Sequence, residues 1–168
     1  MAERHPLLVH EPYAFFWKQW PSNWERSPFV LNEQRYVCVE QFMMAEKARL
    51  FKDEETLSLI MASDKPAEHK DLGRLVKGYD HRTWCDVRRD VVFQGTIAKY
   101  QQNPELYALL VATDPLVLVE ACPEDRIWGI GVSVKDPNLL DTTQWGSNLL
   151  GKTITSVREL LMFGGPRP

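Results

Sequence analysis

Apolar residues recur at helical spacing over residues 39–51, the clearest hydrophobic pattern in the chain. At 100° per residue, this segment predicts an amphipathic helix with Met44 on its apolar side and Gln41 on its polar side. Glu40 and Lys47 fall in the middle of the apolar side. Because a buried charge is unfavourable unless it is paired, these two charges indicate a pocket. Alternatively, both long side chains reach past their apolar neighbours to solvent, and the spacing leaves both interpretations open.

Short strands are predicted before this helix and further helices after it. Residues 13–17 are aromatic and suit a strand, and residues 29–38 have the pattern of a hairpin with a polar turn. Thr83 is the expected N-cap of the longest helix, in which apolar residues from Val87 to Ala98 keep a helical period. Helices are predicted over residues 54–62, 84–101, 105–112 and 153–162, and another helix is predicted to begin at Pro66. A strand is predicted over residues 116–121 and a loop over residues 122–148.

The order of these elements predicts the fold class. Strands come first, followed by several helices, one strand, a long loop and a last helix, which favours an α+β fold over a doubly wound sheet. We expect one mainly helical domain over residues 1–168, with a small antiparallel sheet and a core of about 13–162. The loop over 122–148 is longer than most loops inside a domain, and such loops are often functional.

Composition and charge narrow the function classes. The net charge of −3 gives no general attraction to nucleic acid, and six Trp residues favour weakly a pocket for a planar ring. Three Cys and four His have no metal-ligand spacing, so we expect no metal and no cofactor. The chain has neither a signal-peptide pattern nor an apolar run of about 18 residues, which predicts a cytoplasmic protein without a membrane partner.

A second cluster of interest lies in the long loop, over residues 124–131. Gly129 and Gly131 would let backbone amides approach a phosphate or a ribose closely. The alternative is an ordinary turn in which Trp128 packs on the core. No Gly-x-Gly-x-x-Gly opens a helix here, so the pattern does not support a Rossmann dinucleotide site.

Short motifs in a fixed order extend over nearly the whole chain. They are Ser22-Asn23-Trp24, Ser27-Pro28-Phe29, Val39-Glu40-Gln41-Phe42, Ala45-Glu46-Lys47-Ala48, Leu72-Gly73-Arg74, Ala98-Lys99-Tyr100, Gln102-Asn103, Leu118-Val119-Glu120, Asp125, Trp128-Gly129-Ile130-Gly131, Trp145-Gly146 and Asn148-Leu149-Leu150-Gly151-Lys152. Together they resemble the NADAR superfamily, the YbiA-like N-glycosidases. The resemblance implies the α+β fold of that superfamily.

The resemblance also implies hydrolysis of an N-glycosidic bond between a base and ribose phosphate or ADP-ribose. One branch of the family clears an early riboflavin intermediate, 5-amino-6-(5-phosphoribosylamino)uracil, and other members remove ADP-ribose from modified guanine in DNA. We therefore expect a small-molecule ribosyl phosphate or ADP-ribosyl substrate, with DNA only as a modified substrate. A function of a different class stays open: a module that binds ADP-ribose without cleaving it.

Carried over residue by residue, the family motifs give the candidate residues of one site, and the chemistry of the reaction suggests a role for each. Glu40 is expected to act as acid and base, Lys47 as nucleophile or electrostatic partner, and Asp125 as the group that holds ribose hydroxyls or water. Direct attack by water, with Lys47 only positioning the substrate, is the alternative. Some members have His where this chain has Gln41, which we expect to carry no chemistry. The expected substrate-binding residues are Asn23, Trp24, Trp128, Gly129, Gly131 and Asn148.

Overall fold

A computed structural model describes residues 6–164 of the chain. The chain forms two compact units, which we call the central unit, Asn23–Pro104, and the terminal unit, Met1–Ser22 with Glu105–Pro168. The single domain predicted for residues 1–168 stays a prediction.

Four helices form most of the central unit, and the first of them packs against the other three. The predicted helices are present, and the second has the predicted bounds. It begins after Asp53, whose carboxylate accepts a hydrogen bond from the Thr56 backbone N–H at 3.1 Å. The four are α1 (Val39–Leu50), α2 (Glu54–Ala62), α3 (Pro66–Arg74) and α4 (His81–Gln102).

Helix α4 begins earlier than predicted, and Thr83 is not its N-cap. Asp80 caps the helix instead, because its Oδ1 accepts from the Thr83 N–H at 2.7 Å and from the Thr83 hydroxyl at 2.6 Å. A carboxylate also suits the positive end of the helix dipole. The Thr83 hydroxyl therefore donates to the cap rather than providing it.

The buried side of α4 also differs from the prediction. Ala98 is buried as predicted, but Val87, Val91 and Ile97 are only half-buried. Gly95, which interrupts the sequence pattern, lies directly on α1: a Cβ there would come within 2.6 Å of the Phe42 ring. The glycine lets the two helices approach closely, so the residues on its side of α4 are the ones that face the core.

The predicted hairpin is confirmed in the central unit. Its strands β3 (Phe29–Leu31) and β4 (Gln34–Tyr36) are antiparallel. Asn32 and Glu33 join them with φ angles of 51° and 63°, as a tight two-residue hairpin turn requires.

The terminal unit contains a three-stranded sheet with the order β1 (Leu8–His10), β2 (Tyr13–Phe16) and β5 (Val117–Glu120). Strands β1 and β2 are antiparallel, whereas β2 and β5 are parallel, so this sheet is mixed rather than antiparallel throughout. The parallel pairing needs a long connection, which the many intervening helical residues provide. Strand β1 was not predicted because its three residues are all exposed and carry no buried pattern.

Helices α5 (Pro104–Val111) and α6 (Leu149–Phe163) complete the fold. Helix α6 starts four residues before its predicted start at Thr153, because Gly151 belongs to the helix rather than to the preceding loop. Residues 122–148 hold no strand and no α-helix, only one 3₁₀ turn. None of the helices within residues 6–164 is long and apolar enough to cross a membrane.

Candidate active site

Glu40 lies in the first turn of α1 and is buried, with only 5% of its surface exposed. Its backbone N–H donates to the Asn23 carbonyl at 3.0 Å, and Asn23 is itself only 6% exposed. This hydrogen bond holds the segment around Asn23 against the first turn of α1, which carries the Glu40 carboxylate. A carboxylate in this position also gains from the positive end of the helix dipole. Of the two interpretations of the sequence pattern, burial is correct for Glu40.

Lys47 lies in the last turn of the same helix and is half-buried. Its ammonium donates to the Gly73 carbonyl at 2.7 Å. It also lies 4.3 Å from the centroid of the Tyr79 ring and 6.0 Å from that of the Trp84 ring. Burial lowers the pKa of the Lys47 amine, which makes the neutral, nucleophilic form more accessible.

Gln41 is buried, and its predicted place on a solvent-exposed side is wrong. Its amide oxygen accepts from the Val37 N–H at 2.8 Å, and its amide nitrogen donates to the carbonyls of Ile60 at 3.1 Å and Ser63 at 2.9 Å. The polar side of the helix is covered because α2 and α3 also pack on α1. Gln41 therefore joins three segments of the central unit, and the expectation that it carries no chemistry stays a prediction.

A buried thiol and imidazole lie beside the start of α1. The Cys38 sulfur is 3.8 Å from Nδ1 of His69, whose Nε2–H donates to the Ser63 carbonyl at 2.9 Å. Burial raises the pKa of the Cys38 thiol to about 11, so the thiol stays protonated at neutral pH. Burial lowers the pKa of His69, which is fully buried. Neither group has the reactivity of a nucleophile or a poised base.

Protonation of His69 is expected to destabilise the fold in mild acid. The folded-state pKa of His69 is below the ordinary value of 6.5, so below that pH the unfolded chain binds more protons and stability falls as pH falls. One such proton changes the free energy of unfolding by at most about 1.4 kcal/mol per pH unit. The free energy of unfolding, measured with urea at several pH values between 7 and 5, should depend less steeply on pH for His69→Gln than for the wild type. The exposed His10→Gln variant is the control, and an unchanged slope in His69→Gln would contradict the assignment.

Trp24 is half-buried in the central unit. The ammonium of Lys70 lies 5.9 Å from the centroid of its ring. The ring is therefore a half-exposed surface with a cation nearby. Its predicted contact with substrate stays a prediction.

Asp125 holds the long loop of the terminal unit in shape. Its Oδ1 accepts from the backbone N–H groups of Ile127 and Trp128, each at 2.8 Å, and its backbone carbonyl accepts from Gly131 at 2.9 Å. Its Oδ2 receives no hydrogen bond from any residue in the described range 6–164. One oxygen therefore has a structural role, and the other is left without a hydrogen bond from the described residues.

The glycines of this loop are required by close packing of the chain on itself. A Cβ at Gly129 would lie 2.8 Å from the Glu120 carbonyl oxygen and 2.9 Å from that of Asp125. Gly131 has a φ of +70°, which other residues rarely adopt. Backbone hydrogen bonds join residues 126–130 to residues 146–150. The shape of this loop is thus set from within, whether or not a ligand binds there.

The side-chain amide of Asn148 forms hydrogen bonds with the backbone of β5, as a neighbouring strand would. Its Oδ1 accepts from the Glu120 N–H and its Nδ2 donates to the Leu118 carbonyl, both at 3.0 Å. It is 4% exposed and has a φ of 49°, which turns the chain into α6. Both ends of its amide are engaged by the backbone, and its predicted contact with substrate stays a prediction.

Lys99 is a buried charge that sequence reasoning did not single out. It lies on α4 with 1% of its surface exposed. The charge of Glu40 raises the pKa of the Cys38 thiol and that of Lys99 lowers it, so both charges act on one small region of the core. The available signal was its spacing of four residues from Gly95, which places both on one side of the helix.

The structure divides the predicted residues between the two units. Within residues 6–164, no group of three or more His, Cys, Asp or Glu side chains is arranged to hold a metal ion. The central unit contains Asn23, Trp24, Glu40 and Lys47, and the terminal unit contains Asp125, Trp128, Gly129, Gly131 and Asn148.

Known proteins resemble the chain over both units. The NADAR domain model matches residues 10–162. A protein of Acanthamoeba polyphaga mimivirus named as an N-glycosidase is 40% identical over 159 residues, which cover 92% of each chain. The N-glycosidase YbiA of Escherichia coli (strain K12) is 30% identical over 140 residues, which cover 83% of this chain and 79% of that protein.

A solved structure agrees with the fold. The NMR structure of the E. coli protein YbiA matches with a TM-score of 0.72 and 26% sequence identity, covering 93% of this chain and 89% of that one. The predicted α+β class is confirmed. On the family match and the similarity of its relatives, the chain belongs to the NADAR domain family.

Proposed function

We propose that this protein hydrolyses the N-glycosidic bond between a base and ribose phosphate, with early riboflavin-pathway intermediates such as 5-amino-6-(5-phosphoribosylamino)uracil as substrates. Relatives across the family are named N-glycosidases, and this chain is likewise a hydrolase of glycosyl compounds. The observation that carries the proposed site is the burial of the Glu40 carboxylate in the first turn of α1.

The reaction explains why a buried carboxylate is useful. Breaking a ribosyl C1–N bond develops positive charge on the sugar and negative charge on the departing base. A carboxylate near C1 stabilises the sugar, and a proton must reach the base as it leaves. Exclusion of water strengthens both electrostatic effects. We assign the proton transfers to Glu40, and the binding of ribose hydroxyls or water to Asp125, whose Oδ1 already accepts two backbone hydrogen bonds.

Lys47 allows a covalent route. Its neutral amine attacks C1 as the bond to the base breaks, and Glu40 takes the proton from the amine and passes it to the base. Ring opening then gives an imine between Lys47 and the sugar, which water hydrolyses to return the amine and release ribose phosphate. The lowered pKa of Lys47 supports this route. In the other route, water attacks C1 directly and Lys47 only holds the substrate.

The overall charge favours a small-molecule substrate over modified DNA. With a net charge of −3, the protein has no general electrostatic attraction to a phosphate backbone. A single phosphate on a free substrate needs only one or two local donors, which a pocket can supply. Two results of the test would replace this substrate assignment. One is cleavage of ADP-ribosylated guanine, and the other is binding of ADP-ribose without cleavage.

A Lys47→Ala variant separates an enzyme from a binding module. An enzyme is expected to lose about 100-fold or more in kcat with binding largely kept, whereas a module that only binds ADP-ribose loses modest affinity. Borohydride added during turnover should trap a covalent sugar adduct on the wild type but not on Lys47→Ala, detected by mass spectrometry. Lys65→Ala, at an exposed lysine, is the control. Turnover with no trapped adduct would rule out the imine route and leave direct attack by water.

A further inference from the structure

We propose that Lys99 is a positioning residue for Glu40: its ammonium, buried in the same part of the core, orients the carboxylate and keeps it ionised between turnovers. This inference rests on the proposed function of Glu40. It adds a residue from α4 to a site that the sequence placed on α1 and the long loop.

The packing of α4 on α1 places Lys99 toward Glu40. Gly95 lies against the start of α1, where its Cβ position is 2.6 Å from the Phe42 ring and 3.4 Å from the Val39 side chain. Lys99 follows Gly95 by four residues, so both lie on the same side of α4. Glu40 directly follows Val39. The side of α4 that carries Lys99 therefore faces the turn that carries Glu40.

Burial makes a pairing of these two charges favourable. Lys99 is 1% exposed and Glu40 is 5% exposed. An ammonium and a carboxylate removed from water are each strongly destabilised unless an opposite charge and hydrogen bonds compensate them. Both charges lie close enough to the Cys38 thiol to act on its pKa, which Glu40 raises and Lys99 lowers.

Three other titratable groups lie near this region, while the cations Lys47, on α1, and Lys70, on α3, contact the Gly73 carbonyl and the Trp24 ring. Cys38, at the start of α1, is held protonated and His69, from α3, is held neutral, both by burial. Tyr100, on α4 beside Lys99, has a strongly raised pKa because it is fully buried, and the charge of Glu25 raises it further. None of these three groups supplies a cation at neutral pH.

Other titratable groups around the far end of α1 have partners of their own. Asp53, before α2, accepts from the Lys77 backbone N–H at 2.8 Å. Tyr36, on β4, accepts from Arg49 at 2.9 Å, at the opposite end of α1 from Glu40. Arg49 also forms an ion pair with Glu46. These groups are engaged away from the first turn of α1.

The pairing is tested by the pH dependence of kcat/KM in Lys99→Gln and Lys99→Arg. In Lys99→Gln, loss of the buried cation is expected to shift the acidic limb of the profile to higher pH by about one unit or more. It is also expected to lower kcat about 100-fold with KM little changed. Lys99→Arg should bring the limb back toward its wild-type position. A lysine that only stabilises the fold would lower thermal stability without moving the limb, and a folded Lys99→Gln variant with an unmoved limb would overturn the proposal.

A measurement on the wild type keeps the proposal testable if Lys99→Gln does not fold. Carbon-13 labelling of Glu side chains, with the Glu40 signal assigned by its absence in Glu40→Gln, reports directly whether the carboxyl is ionised. We expect the ionised chemical shift throughout the pH range of activity, and a protonated Glu40 in that range would overturn the pairing. The titration needs no turnover. A wild type that releases no base would therefore refute the proposed function without deciding the pairing.

Discussion

A Glu40→Gln variant is expected to lose about 10³-fold or more in kcat while it keeps the wild-type fold. The amide has nearly the shape of the carboxylate, but it neither accepts a proton nor stabilises positive charge on the sugar. General acid–base catalysis alone contributes about 10²–10⁴-fold, and loss of the electrostatic effect adds to it. The rate is measured as release of free base by chromatography, and the fold by circular dichroism and thermal unfolding.

The matched control for this variant is Glu54→Gln, at an exposed glutamate in the first turn of α2. It makes the same change in charge at a comparable helical position without touching the core. It should keep the wild-type rate within about two-fold, since exposed substitutions rarely matter. A folded Glu40→Gln variant with a rate close to that of Glu54→Gln would remove Glu40 from the mechanism.

A Gly151→Ala variant is expected to destabilise the terminal unit strongly. A Cβ at Gly151 would lie 2.1 Å from the Leu118 carbonyl oxygen and 2.5 Å from Oδ1 of Asn148. Helix α6 would have to move away from β5 and disturb the Asn148 amide, which bonds to the strand. Overpacking of this kind costs about 3 kcal/mol, which in a chain of this size lowers Tm by about 6–12 °C.

Whether Gly151→Ala lowers or raises the free energy of unfolding distinguishes an effect of packing from an effect of helix propensity. In an open helical position, Gly→Ala stabilises a protein by up to about 1 kcal/mol. Lys152→Ala, at the next and exposed position of α6, is the control and should change stability by less than about 0.5 kcal/mol. Urea unfolding measures both variants. A Gly151→Ala variant as stable as the wild type would show that α6 does not pack on β5 at this distance.

The sequence predicted those parts of the fold that depend on local chemistry. Asp53 caps α2 and Pro66 begins α3 as predicted, because caps and first-turn prolines act within one turn. The parallel pairing of β2 with β5 was missed, because it joins segments more than one hundred residues apart that no local pattern connects. The early start of α6 was missed for a related reason. Gly151 disfavours a helix locally, and only its contact with Leu118 explains its presence.

The candidate site was predictable to a similar extent. Helical periodicity predicted that Glu40 lies on the apolar side of α1, since one helix of known pitch decides which side a residue takes, but it left open whether the carboxylate is buried, which the structure decides. The same projection failed for Gln41, because α1 is covered on more than one side. Lys99 was missed because its burial depends on how closely α4 approaches α1. The roles of Asp125 and Asn148 in holding the loop depend on hydrogen bonds to backbone groups that sequence patterns do not reveal.

The most direct test of the central claim is the release of base by the purified wild-type protein. It is incubated separately with 5-amino-6-(5-phosphoribosylamino)uracil and with ADP-ribosylated guanosine, beside Glu40→Gln, and the products are separated by chromatography. We expect free base and ribose phosphate from the first substrate, and none with the variant. Release from the second substrate alone would move the enzyme to the ADP-ribosyl branch. Release from neither substrate, with tight binding of ADP-ribose, would contradict the proposed function.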